Sequence, residues 1–207
     1  MITSKKPTKA LIMETAIRLF HTQGYNGTSV RDIAKKANIN LANISYYFNG
    51  KHGLLEACLI TFFEGYVKCL EEEISIDGEQ NPSQCLLRSL NKMLSYQSEN
   101  HYLSRVVWRE VSMDTQIVRE IIASYLRKER YLLKKVIEAG IKMGEFRPYP
   151  IPYVIIQLKS MLTMPFLNSQ HLCEIWNIFP REHYFVEKYY TMLENWVECT
   201  LMIEPIH

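Results

Sequence analysis

Helix breakers are scarce in this chain. Its 207 residues include only 8 glycines and 8 prolines. Long stretches without either favour helices, because these two residues weaken a helix interior most. No run approaches the roughly 18 uncharged apolar residues of a membrane span, so no membrane association is expected. A secretory leader is not expected either: Met1 to Lys9 is basic, but ALIMETAIRLF after it is broken by Glu14 and Arg18. The five cysteines (Cys58, Cys69, Cys85, Cys173 and Cys199) are odd in number, scattered and without a C-x-x-C pair. Free thiols in a reducing cytoplasm are the expectation.

Other absences concern chemistry. The histidines at 21, 52, 101, 171, 183 and 207 form no i, i+4 pair, so no metal site is expected. The chain has no G-x-x-x-x-G-K-[ST], no H-E-x-x-H and no G-x-S-x-G. GYNGTS has two glycines but no lysine behind them, which makes a weak phosphate loop. Neither an enzyme nor a cofactor is expected.

What is present is an ordinary globular composition, 47% apolar and 22% charged, with an uneven charge distribution. Residues 1–52 carry eight Lys and Arg against Glu14 and Asp32, a net +6, so the remainder carries −4 within the total of +2. A basic end on a mildly acidic body suggests that one end meets a polyanion.

The apolar periodicity predicts an all-α chain. A helix starts at Thr8, with Leu11, Ile12, Ala16, Leu19 and Phe20 on one face, and Gly24 stands where a left-handed cap would end it. Thr28 or Ser29 can cap a second helix, VRDIAKKA. Asn38 tolerates the left-handed turn, and Asn40 is a good N-cap for a short third helix, LANISYYF. A long helix runs from Lys51, and SIDGEQNPS reads as a linker. Helices follow in CLLRSLNKMLSYQ, YLSRVVWREV, from Thr115 to Gly144, in YVIIQLKSMLTMPFL and in HYFVEKYYTMLENWVECTLM. A domain division into 1–52 and 53–207 is expected.

Two helices joined by a short turn, the second one short, make a helix-turn-helix. Ile39 and Ile44 are expected to hold the second helix down. Asn40, Leu41, Ala42, Asn43, Ser45, Tyr46 and Tyr47 then face outward. Such residues suit the DNA major groove: Asn pairs bidentately with adenine, apolar groups meet the thymine methyl, and tyrosine reaches phosphate. Lys5 and Lys6 add charge that neutralises phosphates. A bland two-helix hairpin with a solvated lysine face is the competing reading.

These residues also carry a family likeness. Thr28, Ile33-Ala34, Ala37, Ile39, Ile44, Tyr46-Tyr47-Phe48, Lys51 and Leu54-Leu55 together resemble the signature of the TetR family of regulators, over about residues 8 to 55. The resemblance implies a three-helix DNA-binding head on a helical dimerisation and regulatory body. It also implies phosphate contacts from Thr28, Tyr47 and Lys51, with Ser29 beside them, and base readout from Leu41 to Tyr46. Asn38, Ala42 and Ser45 depart from it, standing where Gly, Gly and Tyr are usual. ISYYFNGKHGLLE, VVWREVSMDTQIVREI and PIPYVIIQLKSMLTMPFL are also similar to a TetR-type DNA-binding protein of endospore-forming bacteria. That likeness implies a nucleoid-associated role near the replication origin, and action on the division-ring protein FtsZ in sporulation.

A head that reads few base pairs needs a dimer and a palindromic site of double-stranded DNA. The last two long helices are apolar on more than one face, and Val154, Leu158, Met161, Leu162, Tyr189, Leu193 and Trp196 are the candidate homodimer residues. A monomer core is the alternative for them. Met93, Trp108, Tyr125, Phe166 and Trp176 are candidates for lining a small-molecule pocket, or else are plain core. Arg105, Arg109, Glu110 and Arg119 form either a protein-partner surface or a solvated face with intrahelical ion pairs.

Overall fold

The computed structural model describes residues 7–74 and 81–203. Ten helices make up the described chain: α1 (Thr8–Gln23), α2 (Val30–Ala37), α3 (Leu41–Phe48), α4 (Gly50–Ile74), α5 (Pro82–Glu99), α6 (His101–Ser112), α7 (Gln116–Lys142), α8 (Ile151–Leu167), α9 (Ser169–Trp176) and α10 (His183–Thr200). An isolated antiparallel bridge joins Phe146 to Met202. The expected all-α class is observed. None of the described helices is long and apolar enough to cross a membrane.

The head is α1 to α3 on the first turns of α4. Ile12, Ala16, Leu19 and Phe20 of α1, Ile33, Ala34 and Ala37 of α2, and Ile44 and Phe48 of α3 are all buried, as are Leu54 and Leu55 of α4. Each of the larger side chains stabilises the head by roughly 1.5–3 kcal/mol through burial alone. Close approach of α4 to the end of α3 depends on Gly53, where a Cβ would collide with the Phe48 carbonyl oxygen. Gly24 ends α1 at φ 83° and ψ 160°, a positive-φ turn but not the left-handed helical cap expected.

The helix α4 runs unbroken across residues 52 and 53, where the sequence suggests a boundary, and continues as the spine of the body. Around it pack α5, α7 and α6. The body core is aromatic: Trp108 lies edge-on to Phe62 (5.4 Å between centroids), Phe63 (5.7 Å) and Tyr66 (5.6 Å). Residues 75–80 of the expected linker lie outside the described residues, and its last three residues open α5. Asn81 caps α5 by accepting the backbone N–H groups of Ser83 and Gln84, and Pro82 opens the helix, where its missing N–H costs nothing.

The last helices fold back on this core: α8 packs against α6, α7 and α5, and α10 packs against α5. Val154, Leu158, Leu162 and Leu193 are buried within the protomer, so these four candidate dimer residues belong to its own core. Met161, Tyr189 and Trp196 are half-buried, and the Tyr189 hydroxyl donates to the Met161 carbonyl at 2.8 Å. The exposed apolar residues of these helices are their neighbours: Tyr153, Ile156 and Met164 on α8, and Tyr184 and Met192 on α10.

Candidate nucleic-acid interface

The turn between α2 and α3 is built by asparagines. Asn38 adopts φ 52° and ψ 52°, and its N–H closes on the carbonyls of Ala34 and Lys35. Asn and Gly are the residues that take this left-handed conformation at least cost. The side chain of Asn40 accepts the Ala42 N–H at 2.9 Å, which starts α3. Asn40 is therefore exposed, but its carbonyl oxygen is spent on the cap. Ile44 and Phe48 point inward, while Leu41, Ala42, Ser45, Tyr46 and Tyr47 are exposed and Asn43 is half-exposed. Tyr46 is 81% exposed, and its ring meets that of Tyr47 edge-on at 4.9 Å. A large exposed aromatic pair is costly to leave in water without a use.

The second helix brings charge. Ser29 caps it through a reciprocal box: its hydroxyl accepts the Asp32 N–H at 3.1 Å, and its own N–H donates to the Asp32 carboxylate at 2.9 Å. Hydrogen bonds from Ser29 hold the Asp32 carboxyl below the usual range. Ser29, not Thr28, is thus the cap. Thr28 is buried; its hydroxyl donates to the Gly24 carbonyl at 2.8 Å and its N–H to the Tyr25 carbonyl. Burial leaves Thr28 no donor for the phosphate contact that the resemblance implied. Arg31, Lys35 and Lys36 of α2 are exposed. Lys5 and Lys6 lie outside the described residues.

Lys51 makes contacts within the head that the sequence did not suggest. Its ammonium donates to the carbonyls of Tyr25 (2.9 Å) and Thr28 (3.0 Å) and sits 4.3 Å from the Tyr25 ring centroid. One of its three N–H groups remains for a phosphate.

The arginines of α6 form no single open patch. Arg109 donates to the Phe20 carbonyl at the end of α1, and Arg105 lies 3.3 Å from the His21 ring nitrogen. Glu110 is half-buried, and burial raises its pKa. Only Arg119 is exposed, paired with Asp114 at 3.0 Å. Sequence reasoning missed the contact between α6 and α1. The available signal was Trp108 between two arginines on one short helix, an anchor beside two long reaching cations. The expected pocket residues do not gather round one opening: Met93, Trp108 and Phe166 are core, Tyr125 stacks on Phe63, whose ring also meets Trp108, and Trp176 is exposed at the end of α9.

A basic three-helix head whose third helix, α3, is short and presents an exposed aromatic face has the layout of a helix-turn-helix. Comparison with known proteins gives the family. Residues 12–58 match the model for bacterial regulatory proteins of the tetR family. The probable HTH-type transcriptional regulator YttP of Bacillus subtilis (strain 168) is 44% identical over 193 residues, 93% of each chain. Among solved structures, the fold is similar to the ketosteroid transcriptional regulator KstR2 of Mycobacterium tuberculosis (TM-score 0.80, 17% identity, 97% of this chain and 98% of that one). It is also similar to the TetR family regulator PfmR of Thermus thermophilus (TM-score 0.77, 19% identity, 91% and 97%). This chain belongs to the TetR family, and it is a DNA-binding transcription regulator rather than an enzyme.

Proposed function

We propose that the chain acts as a homodimer that represses transcription from a palindromic operator. One observation carries the DNA-reading part. The outward side chains of α3 (Asn43, Ser45, Tyr46 and Tyr47) make no hydrogen bond among the described residues, whereas their inward neighbours are packed. Asn43 is the candidate adenine reader, Leu41 and Ala42 face thymine methyls, and Tyr46 and Tyr47 with Lys35, Lys36 and Lys51 meet the backbone. Support for regulation of transcription comes from the relatives, which are described as transcriptional regulators.

Selection of bound DNA with the full chain tests this. Asn43→Ala is expected to change preference at one base pair by roughly 1–3 kcal/mol. Lys35→Ala is expected to weaken all sequences alike and to lower the salt slope by about 0.9. Equal, small effects on selected and random DNA would sink the assignment.

A second reading rests on the three segments similar to RefZ, the TetR-type protein of endospore formers: binding near the replication origin and action on FtsZ. The relatives reported above are described as transcription regulators, which favours the first reading. Genome-wide mapping separates them. Sites at promoters support repression, and a few sites around the origin support the second.

A further inference from the structure

The end of α1 is gripped from the body by α6. Arg109 donates to the Phe20 carbonyl, and Arg105 approaches His21 at 3.3 Å. The Tyr102 ring lies edge-on to His21 at 4.7 Å, and the Arg18 guanidinium sits 5.7 Å from the Tyr102 ring centroid. Burial first, then the Arg105 charge, lowers the His21 pKa to about 4, so its neutral ring accepts from Arg105. Carbonyls at a helix C-terminus carry partial negative charge, which suits cations there.

The same short helix is fixed in the body. Trp108 stands about 100° round α6 from Arg109. Its indole N–H donates to the Gln97 side-chain carbonyl at 2.6 Å, and Gln97 in turn donates to the Leu162 carbonyl of α8 at 3.2 Å. Gln97 is fully buried. One side of α6 is thus held to α5, α8 and the aromatic core, while another holds the head.

We propose that Arg109, assisted by Arg105, determines which half-site spacing the dimer accepts, by fixing the orientation of the head on the body. This rests on the reading of the chain as a dimer on a palindrome. The helix α4 also joins head to body, but a single continuous helix bends and twists more readily than one braced at a second point. Half-sites lie about 34 Å apart, and each added base pair moves and rotates one of them by about a tenth of a turn. A braced head resists that rotation, and an unbraced head follows it. Removing Arg109 leaves the Phe20 carbonyl satisfied, because it also accepts the Gly24 N–H at 3.0 Å. The variant is therefore expected to fold.

The test uses the full chain and the palindrome selected by it, with the central spacing changed by one or two base pairs. The unsubstituted protein is expected to lose about tenfold or more in affinity per base pair of change. Arg109→Ala is expected to lose less than about threefold, to stay folded with a modestly lower melting temperature, and to keep its affinity for a single half-site. Arg109→Lys keeps a donor for the Phe20 carbonyl and is expected to recover most of the discrimination. An Arg109→Ala protein with the same spacing penalty as the parent overturns the proposal, as does an equal loss of affinity at every spacing. Failure of the unsubstituted protein to select any sequence overturns the DNA-reading function itself, a separate outcome.

Discussion

Lys51 donates to the carbonyl of Tyr25 while its ammonium lies over the ring of the same residue, 4.3 Å from the centroid. The first turn of α4 is thereby tied to the loop between α1 and α2. Lys51→Met should cost about 1–3 kcal/mol of stability, since two charge-assisted hydrogen bonds at a part-buried site are lost. Urea unfolding measures this. A salt slope lowered by a full unit with unchanged stability would instead make Lys51 a phosphate contact alone.

The outer faces of α8 and α10 give a paired prediction on the homodimer. Ile156 is 58% exposed and Leu158 is fully buried, two residues apart on one helix. Ile156→Glu should yield a folded monomer in sedimentation velocity, with its melting temperature nearly retained. Leu158→Glu should fail to fold, because it buries a charge in the protomer core. An intact Ile156→Glu dimer would move the interface elsewhere.

Glu129 of α7 is buried and pairs with Lys159 of α8. Beside it, burial and then the Glu129 charge push the Tyr66 phenol pKa well above its ordinary value. Lys159→Met strands a buried carboxylate and should cost roughly 3–5 kcal/mol. The double variant Glu129→Gln with Lys159→Met should recover most of that loss. Denaturant midpoints that show no recovery would mean that Lys159 acts mainly through its packing.

His21 and His101 give a pH dependence. Both pKa values are lowered to about 4, by burial first and then by Arg105, with Arg109 adding to the effect at His21 and Arg181 at His101. A histidine whose folded pKa lies below its unfolded value binds fewer protons when folded. Its contribution is complete above about pH 6.5 and is lost as the pH falls towards 4. Stability should therefore decline across that window, and His21→Asn should flatten the decline. A wild-type midpoint that stays level from pH 7 to pH 5 would contradict the burial of these rings.

The head was largely legible in the sequence. Its second and third helices are short and start at local signals: Ser29 with Asp32 and Asn40 with Ala42, with Asn38 in the left-handed turn between them. Each of these acts within a few residues, so the chain order reveals them. The inward and outward faces of α3 were equally readable, because Ile44 and Phe48 are one turn apart.

The body was legible only as helices. In α8 every face carries apolar residues, so periodicity cannot tell core from interface, and Leu158 and Ile156 read alike. Packing against α5, α6 and α7 decides between them. The same is true of charge. Arg105, Arg109 and Lys51 look like solvated or DNA-facing cations, yet each closes on a group at least 23 residues away. Local hydrogen bonding and apolar period thus determine from sequence alone that this is a helical chain with a helix-turn-helix head, and the family signature marks that head as DNA-binding. How the head is held to the body depends on the Phe20 carbonyl and the His21 ring coming within reach of Arg109 and Arg105 where α1 ends beside α6, and the tertiary structure alone decides that.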